Sequence, residues 1–187
     1  MTRFLILSWE DLFWDIVELG RLIKESGFKP DVLVAVARGG WVVGRVLSDL
    51  LEVEVALGLT IKFYTGIDER DRRPRIVQPL GVNLEGKNVL LVDDIVDTGE
   101  TLWLARTHVL SKGASEVRTA TPYVKPWARH KPDYYVKVVN KWVVFPYEYV
   151  ETLKAVASEG VSFDKFAEAG LDPEVLKRLV KELNIAV

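Results

Sequence analysis

The sequence predicts an α/β fold in which a mainly parallel, twisted sheet is flanked by helices. Apolar runs alternate with amphipathic segments along most of the 187 residues, which is the order that a parallel sheet with crossover helices requires. Two runs, VLVAVA at 32–37 and NVLLVD at 88–93, are almost wholly apolar, as strands buried on both faces are. Polar, Gly-containing stretches follow both runs, at the strand ends where such sheets bind ligands.

In the first part of the chain, periodicity and capping residues predict each element. Ser8 and Asp11 have the spacing of an N-terminal capping pair. Apolar residues then recur at helical spacing, at Leu12, Phe13, Ile16, Val17, Leu19 and Ile23. The predicted order is a strand at 3–7, a helix ending at Gly27, a strand at 32–37, a helix from about 41 to 51, and an alternating strand at 53–59.

The middle of the chain contains one long segment without a period. Residues 62–79, KFYTGIDERDRRPRIVQP, are charged and hold a glycine and two prolines. A loop of this length inside a compact domain is usually functional or disordered. The predicted elements after it are a strand at 88–93, a helix at 101–112 closed by Gly113, and strands at 116–124 and 133–139, followed by KWVVFPYE.

The C-terminal part reads as helical. In its last helix Asp172 is placed as the N-cap and Pro173 as the first helical residue. The apolar stripe of this helix is Val175, Leu176, Leu179, Val180 and Leu183. The stripe is expected to pack on the core, in a small helical appendage or against a partner subunit. The predicted organisation is one domain at 1–150 and a helical C-terminal extension at 151–187.

Composition excludes several classes of function. The net charge of −2 provides no basic surface for nucleic acid. Since the chain has no cysteine, disulfides, thiolate zinc sites and cysteine nucleophiles are excluded, and a cytoplasmic location is expected. The apolar run at the N-terminus is short and soon acidic, so no signal peptide or membrane contact is expected.

The segment VLLVDDIVDTGET, residues 89–101, carries the strongest chemical signal. Three aspartates lie within five positions, and they repel one another unless a cation or a hydroxyl-rich ligand lies among them. The residues from Asp97 to Thr101 combine hydroxyls with the free N–H groups of a helix N-terminus, which favours a phosphate. A sugar phosphate with magnesium suits the whole segment. The alternative is an acidic loop in which Asp97 only caps the next helix.

This segment resembles the phosphoribosyl diphosphate (PRPP) signature of the type I phosphoribosyltransferases at all 13 positions. ARGG at 37–40 resembles the pyrophosphate loop of the same family. ARGGWVVGRVLSDLL, together with YVKPWARHKPDYYV and KWVVFPYE, is similar to the xanthine-guanine type of purine enzyme. The resemblance covers about residues 5–150. It implies transfer of ribose 5-phosphate from PRPP to a 6-oxopurine, with Mg²⁺.

The resemblance also implies a role for each residue of the PRPP site. The 5′-phosphate is held by the loop residues Asp97, Thr98, Gly99, Glu100 and Thr101. Asp93 and Asp94 face the ribose hydroxyls, with Mg²⁺ bound through Asp94. Asp97 also exchanges a proton with the purine, as a general acid–base.

Arg38, Gly39 and Gly40 are expected to hold pyrophosphate, because glycines let the backbone approach an anion and arginine adds a donor fork. The alternative is a plain strand-to-helix turn. The family often has a cis peptide before the first glycine.

Residues 62–79 correspond to the family's lid, with Tyr64 shielding the site. The arginines there, Arg70, Arg72, Arg73 and Arg75, contact pyrophosphate or are solvated.

Lys125, Trp142 and Val143 are the candidates for base binding. A lysine donates to a 6-oxo group and has nothing to offer a 6-amino group. The indole stacks on the purine while the backbone of residue 143 reads its edge. The alternatives are a solvated lysine and a core tryptophan, since most of the six tryptophans are expected to be structural. Val144 stands where the xanthine-guanine type has an acid, and Glu148 is a nearby substitute.

Three alternatives to a 6-oxopurine transferase remain open from sequence. A non-catalytic regulator that senses PRPP or nucleotides uses the same fold, although one lacking catalysis is expected to lack Asp97, Lys125 or the stacking aromatic. A repressor needs a DNA-reading module, for which the C-terminal helices hold few arginines. The same chemistry on adenine suits Lys125 poorly. A homodimer or higher homo-oligomer is expected from the resemblance.

Overall fold

The computed structural model describes residues 4–64, 73–158 and 164–182. Its elements in chain order are β1 (Phe4–Ile6), α1 (Trp9–Glu25), β2 (Val32–Ala37), α2 (Gly40–Leu50), β3 (Ala56–Tyr64), β4 (Arg73–Gln78), β5 (Asn88–Val92), β6 (Ile95–Val96), α3 (Glu100–Ser111), β7 (Glu116–Val124), β8 (Tyr134–Val138), β9 (Trp142–Val144), α4 (Tyr149–Ser158), α5 (Asp164–Glu168) and α6 (Pro173–Glu182). The chain forms two compact units. The larger runs from Trp14 to Val138, and the smaller combines residues up to Phe13 with those from Val139 onward.

The larger unit is built on a seven-stranded sheet. Its strand order is β4-β3-β2-β5-β7, with β6 and β8 also paired to β7. Every pairing is parallel except the one between β3 and β4. The predicted α/β fold with a mainly parallel sheet is therefore confirmed.

Helices cover both faces of this sheet, as the wholly apolar strands predict. On one face, α3 contributes Leu102, Ala105 and Val109 to a core cluster with alternate residues of β2 and β5. On the other face, Gly44 of α2 lies against Leu33 and Ala35, the intervening residues of β2. Strand alternation thus divides the core of the larger unit into two layers.

Helix α1 begins with the capping pair expected from sequence. The N–H of Asp11 donates to Ser8 Oγ at 3.0 Å, and the N–H of Ser8 donates to Asp11 Oδ2 at 3.0 Å. Further along, Asp15 is buried and accepts hydrogen bonds from Tyr123 Oη and from Lys137 Nζ. A buried charge needs such partners, so this cluster ties α1 to β7 and β8.

The smaller unit has a core of its own. Strands β1 and β9 pair in parallel, and α4, α5 and α6 pack with them. Phe4 and Phe166 stack with ring centroids 4.9 Å apart. The core residues are Phe4, Val144, Leu153, Phe166 and Leu171, with Leu176 and Leu179 packed against them. Leu176 and Leu179 of the α6 stripe therefore pack within the chain, whereas Val175 is 40% exposed and Leu183 lies outside the described residues. Asp172 caps α6 by accepting the N–H of Glu174 at 2.8 Å.

One element prediction is wrong, and one apolar residue of α1 is not buried. The segment 62–79 was expected to be a loop, but its ends form strands: β3 extends to Tyr64, and Arg73–Gln78 is the antiparallel strand β4. The sequence hides β4 because an edge strand with charged, exposed side chains lacks an apolar face. Phe13, expected on the buried face of α1, is 46% exposed.

Across the three described ranges, the helices include none with the length and apolar character needed to cross a membrane.

Candidate active site

Asp93 and Asp94 lie between β5 and β6, two strands that pair with β7 as if they were one interrupted strand. β5 ends at Val92, and β6 resumes at Ile95 in the same register against β7. The N–H of Asp93 still reaches the carbonyl of Ala120 at 3.2 Å. The N–H of Asp94 donates to Asp93 Oδ1 at 2.9 Å. The Asp93 side chain therefore stabilises the backbone at Asp94. The two carboxylates are displayed at a break in the sheet, where the strand predicted at 88–93 was expected to end.

Gly39 and Gly40 bring the end of β2 against this break. A side chain at Gly39 would overlap the carboxylate of Asp94, and one at Gly40 would press on the backbone of Val92 and Asp93. The structure thus joins the predicted pyrophosphate loop to the predicted ribose and magnesium residues. Arg38 is exposed beside them. The cis peptide is Ala37–Arg38, one residue earlier than expected.

The loop from Asp97 to Thr101 leads into the N-terminus of α3. Gly99 is the N-cap residue, with a positive φ of 92°, which glycine adopts without strain. The alternative in which Asp97 caps this helix is wrong, because it lies two residues before the N-cap, which receives no side-chain cap. Asp97 and Thr98 are exposed. The first N–H groups of a helix have no intrahelical partner, which suits the loop to an anion.

These loop residues line a cavity of about 670 Å³. Its walls are Phe63 of β3, Asp93 from the strand break, and every residue from Ile95 to Leu102. The volume lies within the range of small-molecule sites. The predicted phosphate and ribose residues therefore share one concave surface.

The segment after β7 is fastened to the loop by its backbone. The N–H of Lys125 donates to Val96 at 2.8 Å, and the N–H of Arg129 donates to Thr98 at 2.9 Å. The carbonyl of His130 lies where a side chain at Gly99 would be. Lys125 is buried. Burial lowers the pKa of its ammonium, and the charge of Asp97 opposes that shift.

Sequence reasoning passed over Trp127 in this segment. Its indole Nε1–H donates to Asp97 Oδ1 at 2.6 Å, and the Lys125 ammonium lies 5.5 Å from its ring centroid. The sequence signal that could have identified Trp127 is its place in the motif Lys125-Pro126-Trp127. Its tryptophan lay two residues from a site candidate and was read only as part of a resemblance.

The remaining base-site candidates belong to the smaller unit. Trp142 begins β9 and is 55% exposed, so the core alternative for this residue is wrong. Val143 is buried, and its backbone pairs with Leu5. Val144 belongs to the core cluster, which accounts for an apolar residue where the resembling enzymes have an acid. Glu148 is half-buried and immediately precedes α4.

The lid prediction falls partly outside the described residues. Tyr64 ends β3, but its side chain is not described. Phe63, its neighbour, lines the cavity. Arg73 and Arg75 are exposed on β4, while Arg70 and Arg72 lie outside the described ranges.

The two histidines lie apart from any metal-ligand cluster. His108 Nε2 accepts the N–H of Leu80 at 3.1 Å, and His130 stacks on Trp103. In the part of the chain that the structure describes, no group of three or more His, Cys, Asp or Glu side chains is placed to hold a metal by itself.

The family model and the similar proteins all point to the same family, the phosphoribosyltransferases. A family model described as phosphoribosyl transferase domain matches residues 6–152. The chain is 31% identical to a xanthine-guanine phosphoribosyltransferase of Chromohalobacter salexigens, covering 79% of this chain and 88% of that protein. A purine phosphoribosyltransferase structure from Pyrococcus horikoshii is 40% identical over 78% of this chain and 94% of that chain, with a TM-score of 0.71.

A second similar structure is that of a protein described as hypothetical. It is a hypothetical protein from Neisseria gonorrhoeae with bound ppGpp, 25% identical over 86% of this chain and 98% of that chain, with a TM-score of 0.72.

Proposed function

The chain belongs to the phosphoribosyltransferase family, and from this membership we propose that it is a purine-salvage enzyme that transfers the 5-phosphoribosyl group of PRPP to a 6-oxopurine. The acceptor is guanine, hypoxanthine or xanthine, and the products are the nucleoside monophosphate and pyrophosphate. One observation carries the proposal: the Asp97–Thr101 loop and Asp93 line one cavity at the N-terminus of α3. The names of the similar purine enzymes support the acceptor class.

In this proposal each part of the site holds one part of PRPP. The loop from Asp97 to Thr101 binds the 5′-phosphate with backbone N–H groups and hydroxyls. Asp93 and Asp94 bind the ribose hydroxyls. Arg38 and the two glycines after it bind pyrophosphate. The tight packing of Gly39 on Asp94 supports a pyrophosphate position next to the ribose.

Mg²⁺ is the cofactor of the proposal. The residues present fit it, because carboxylate oxygens are its preferred ligands and Asp94 lies directly against the pyrophosphate loop. Asp94, with oxygens of PRPP, would hold the ion. Bound there, Mg²⁺ supplies positive charge that stabilises the leaving pyrophosphate.

Asp97 serves as the general acid–base. In the transfer, the bond from C1′ to the pyrophosphate oxygen breaks and pyrophosphate takes the electron pair. A ring nitrogen of the purine forms the new bond to C1′. Acting as the base in this direction, Asp97 accepts the proton that the purine loses at N7, and its carboxylate also stabilises the positive charge that develops at C1′.

Lys125, Trp142 and Val143 select the base. The Lys125 ammonium donates to the 6-oxo group, which explains why a buried cation lies beside Asp97. The exposed indole of Trp142 stacks on the purine ring, and the backbone of Val143 reads its edge. Tyr64 and the rest of segment 62–79 close over PRPP.

The proposal extends to organisation and location. We place the transferase domain at 1–150 and the helical extension at 151–187. A homodimer or higher homo-oligomer is proposed from the family membership and is tested by light scattering. A cytoplasmic location stays a prediction.

The test is pyrophosphate release from PRPP and Mg²⁺ with guanine, hypoxanthine, xanthine and adenine in separate reactions. Turnover on at least one 6-oxopurine is expected, with adenine the poorest substrate. Asp97→Asn should lower kcat by about 10²- to 10⁴-fold. Asp49→Asn is the matched control, because this carboxylate forms only an exposed ion pair with Arg45 on α2.

A second candidate is a regulator that binds PRPP or nucleotides without catalysis. The similar Neisseria gonorrhoeae protein has ppGpp bound, and this observation supports the regulator as the second candidate. Absence of turnover on all four bases, together with retained nucleotide or PRPP binding in calorimetry, would replace the enzyme proposal with this one.

A further inference from the structure

Trp127 contacts both polar side chains that the proposed function assigns to the purine. Its indole Nε1–H donates to Asp97 Oδ1 at 2.6 Å, although the two residues are 30 positions apart in the chain. The face of the same ring lies 5.5 Å, centroid to Nζ, from the ammonium of Lys125. This distance is within the range of a cation–π interaction. The two contacts use different parts of the ring, its in-plane N–H and its face.

The backbone around Trp127 determines where the indole lies. The N–H of Lys125 donates to Val96, and the N–H of Ala128 donates back to the carbonyl of Lys125 at 3.1 Å. Beyond the tryptophan, the N–H of Arg129 donates to Thr98. The segment is therefore fastened to the phosphate loop on both sides of Trp127. The indole is held toward Asp97 although the ring is 54% exposed.

Asp97 needs a partner of this kind to present its carboxylate in one orientation. Its side chain is exposed, and a short exposed carboxylate turns about its single bonds. The indole N–H is a donor that cannot accept, so it engages one oxygen and leaves the other for a proton of the ligand. A hydrogen bond to a carboxylate is stronger than one between neutral groups.

Core packing does not account for Trp127. A core tryptophan is buried, whereas more than half of this side chain is exposed. An exposed ring that contacts two charged groups of a ligand site is placed to organise them.

We propose that Trp127 is a positioning residue of the transfer reaction: its N–H orients Asp97 for proton exchange with the purine, and its ring face holds Lys125 at the 6-oxo group. This inference rests on the proposed function. It assigns Trp127 no contact with the reacting atoms.

Kinetics of two variants separate the two contacts. Trp127→Phe keeps an aromatic face for Lys125 and removes the N–H donor. We expect kcat to fall about fivefold to tenfold, the range for loss of one partly exposed hydrogen bond to a charge, while the KM values for PRPP and for the base stay within about twofold. Trp127→Leu removes the face as well, and we expect the KM for the 6-oxopurine to rise in addition.

A rescue variant and a matched control exclude a general effect on stability. Trp127→His restores an N–H donor on a ring, and we expect it to recover part of the kcat lost in Trp127→Phe. Trp14→Phe makes the same change at an exposed tryptophan of α1, a helix that contributes no residue to the cavity, and should leave the kinetics unchanged. A Trp127→Phe enzyme as fast as the unaltered one, or faster, overturns the inference. The faster enzyme would show that the indole competes with the purine for Asp97.

An NMR measurement tests the contact without any turnover. The indole N–H signal of Trp127 is assigned in a ¹H–¹⁵N spectrum by its loss in Trp127→Phe. We expect this signal to shift in Asp97→Asn while the signal of Trp14 stays in place. An unmoved Trp127 signal overturns the inference even in an active enzyme. A chain that transfers to no base, with the shift present, instead refutes the proposed function and leaves the contact established.

Discussion

The tryptophans show how a single residue type can depart from its usual place. Most of the six were expected to be structural, yet all are between 42% and 59% exposed. The buried hydrophobic residues are instead mostly aliphatic, and the aromatic ones among them are Phe4, Tyr123, Phe145 and Phe166. An indole has one polar N–H that a dry core must satisfy, and Trp127 satisfies it with Asp97. Trp41 lies over Gly58, where a side chain would collide with its ring.

Gly39 provides a prediction at this scale. Gly39→Ala places a methyl group in the volume of the Asp94 carboxylate, so the carboxylate must turn away. We expect kcat/KM for PRPP to fall by about 100-fold, the cost of displacing a reacting group by about an ångström, with the melting temperature nearly unchanged. Steady-state kinetics and thermal unfolding measure the two effects.

The control for this variant is Gly81→Ala. A side chain there meets no atom within 4 Å, so kcat/KM should be unaltered. Equal kinetics for Gly39→Ala and the unaltered enzyme would refute the place given to Gly39 beside the ribose and pyrophosphate sites.

Among the elements, α3 connects the site to the core. Its N-terminus follows the Asp97–Thr101 loop, and its buried face joins the core cluster of the larger unit. Near its C-terminus, His108 accepts the N–H of Leu80 through Nε2, so the proton of the neutral ring must be on Nδ1. Burial, with a smaller effect of the Lys112 charge, lowers the pKa of His108 below its ordinary value of 6.5.

This lowered pKa makes the contribution of α3 to stability depend on pH. The unfolded chain binds the His108 proton more readily than the folded chain. The contribution is therefore complete above pH 6.5 and is lost as the pH falls through the lower, folded-state pKa. His108→Gln keeps an oxygen acceptor that does not titrate. We expect the unaltered protein to lose about 2–4 °C more in melting temperature between pH 7.5 and pH 5 than this variant does.

The same change at the exposed His130 is the control, and it should leave the pH dependence as it is in the unaltered chain. If His108→Gln and the unaltered protein lose stability equally on acidification, the hydrogen bond to Leu80 has no such role.

At the scale of the whole molecule, each of the two compact units contains a core cluster among its described residues. The C-terminal helices contribute Leu153, Phe166 and Leu171 to the second cluster. They are therefore part of a packed core together with Phe4, near the opposite end of the chain. The smaller unit also carries Trp142 and Val143, the residues proposed to bind the base.

A cavity variant tests this role of the extension. Phe166 is 1% exposed and stacks on Phe4, so Phe166→Ala should destabilise the smaller unit by about 3–5 kcal/mol. Calorimetry should show an earlier transition for this variant, or a second one. Val175→Ala, at a position that is 40% exposed, is the control and should change the free energy of unfolding by less than about 1 kcal/mol. If the calorimetric unfolding curves of Phe166→Ala and Val175→Ala are the same, the extension is not part of this core.

Several features of the protein were determined by the sequence alone, because neighbouring residues encode them. Helical spacing and the capping pair of Ser8 and Asp11 predicted α1, and apolar runs predicted β2 and β5. The Asp97–Thr101 loop was recognisable because its aspartate, glycine and hydroxyl residues are contiguous. In each case the physical signal lies within a few residues of the chain.

Only the tertiary structure decided which distant residues meet. The packing of Gly39 on Asp94 and the hydrogen bond from Trp127 to Asp97 join segments far apart in the chain. β6 begins at Ile95 in the same register as β5 because both strands pair with β7. Such contacts depend on how twisted strands and helices pack. The charged edge strand β4 stayed hidden for the same reason, since its pairing with β3 defines it.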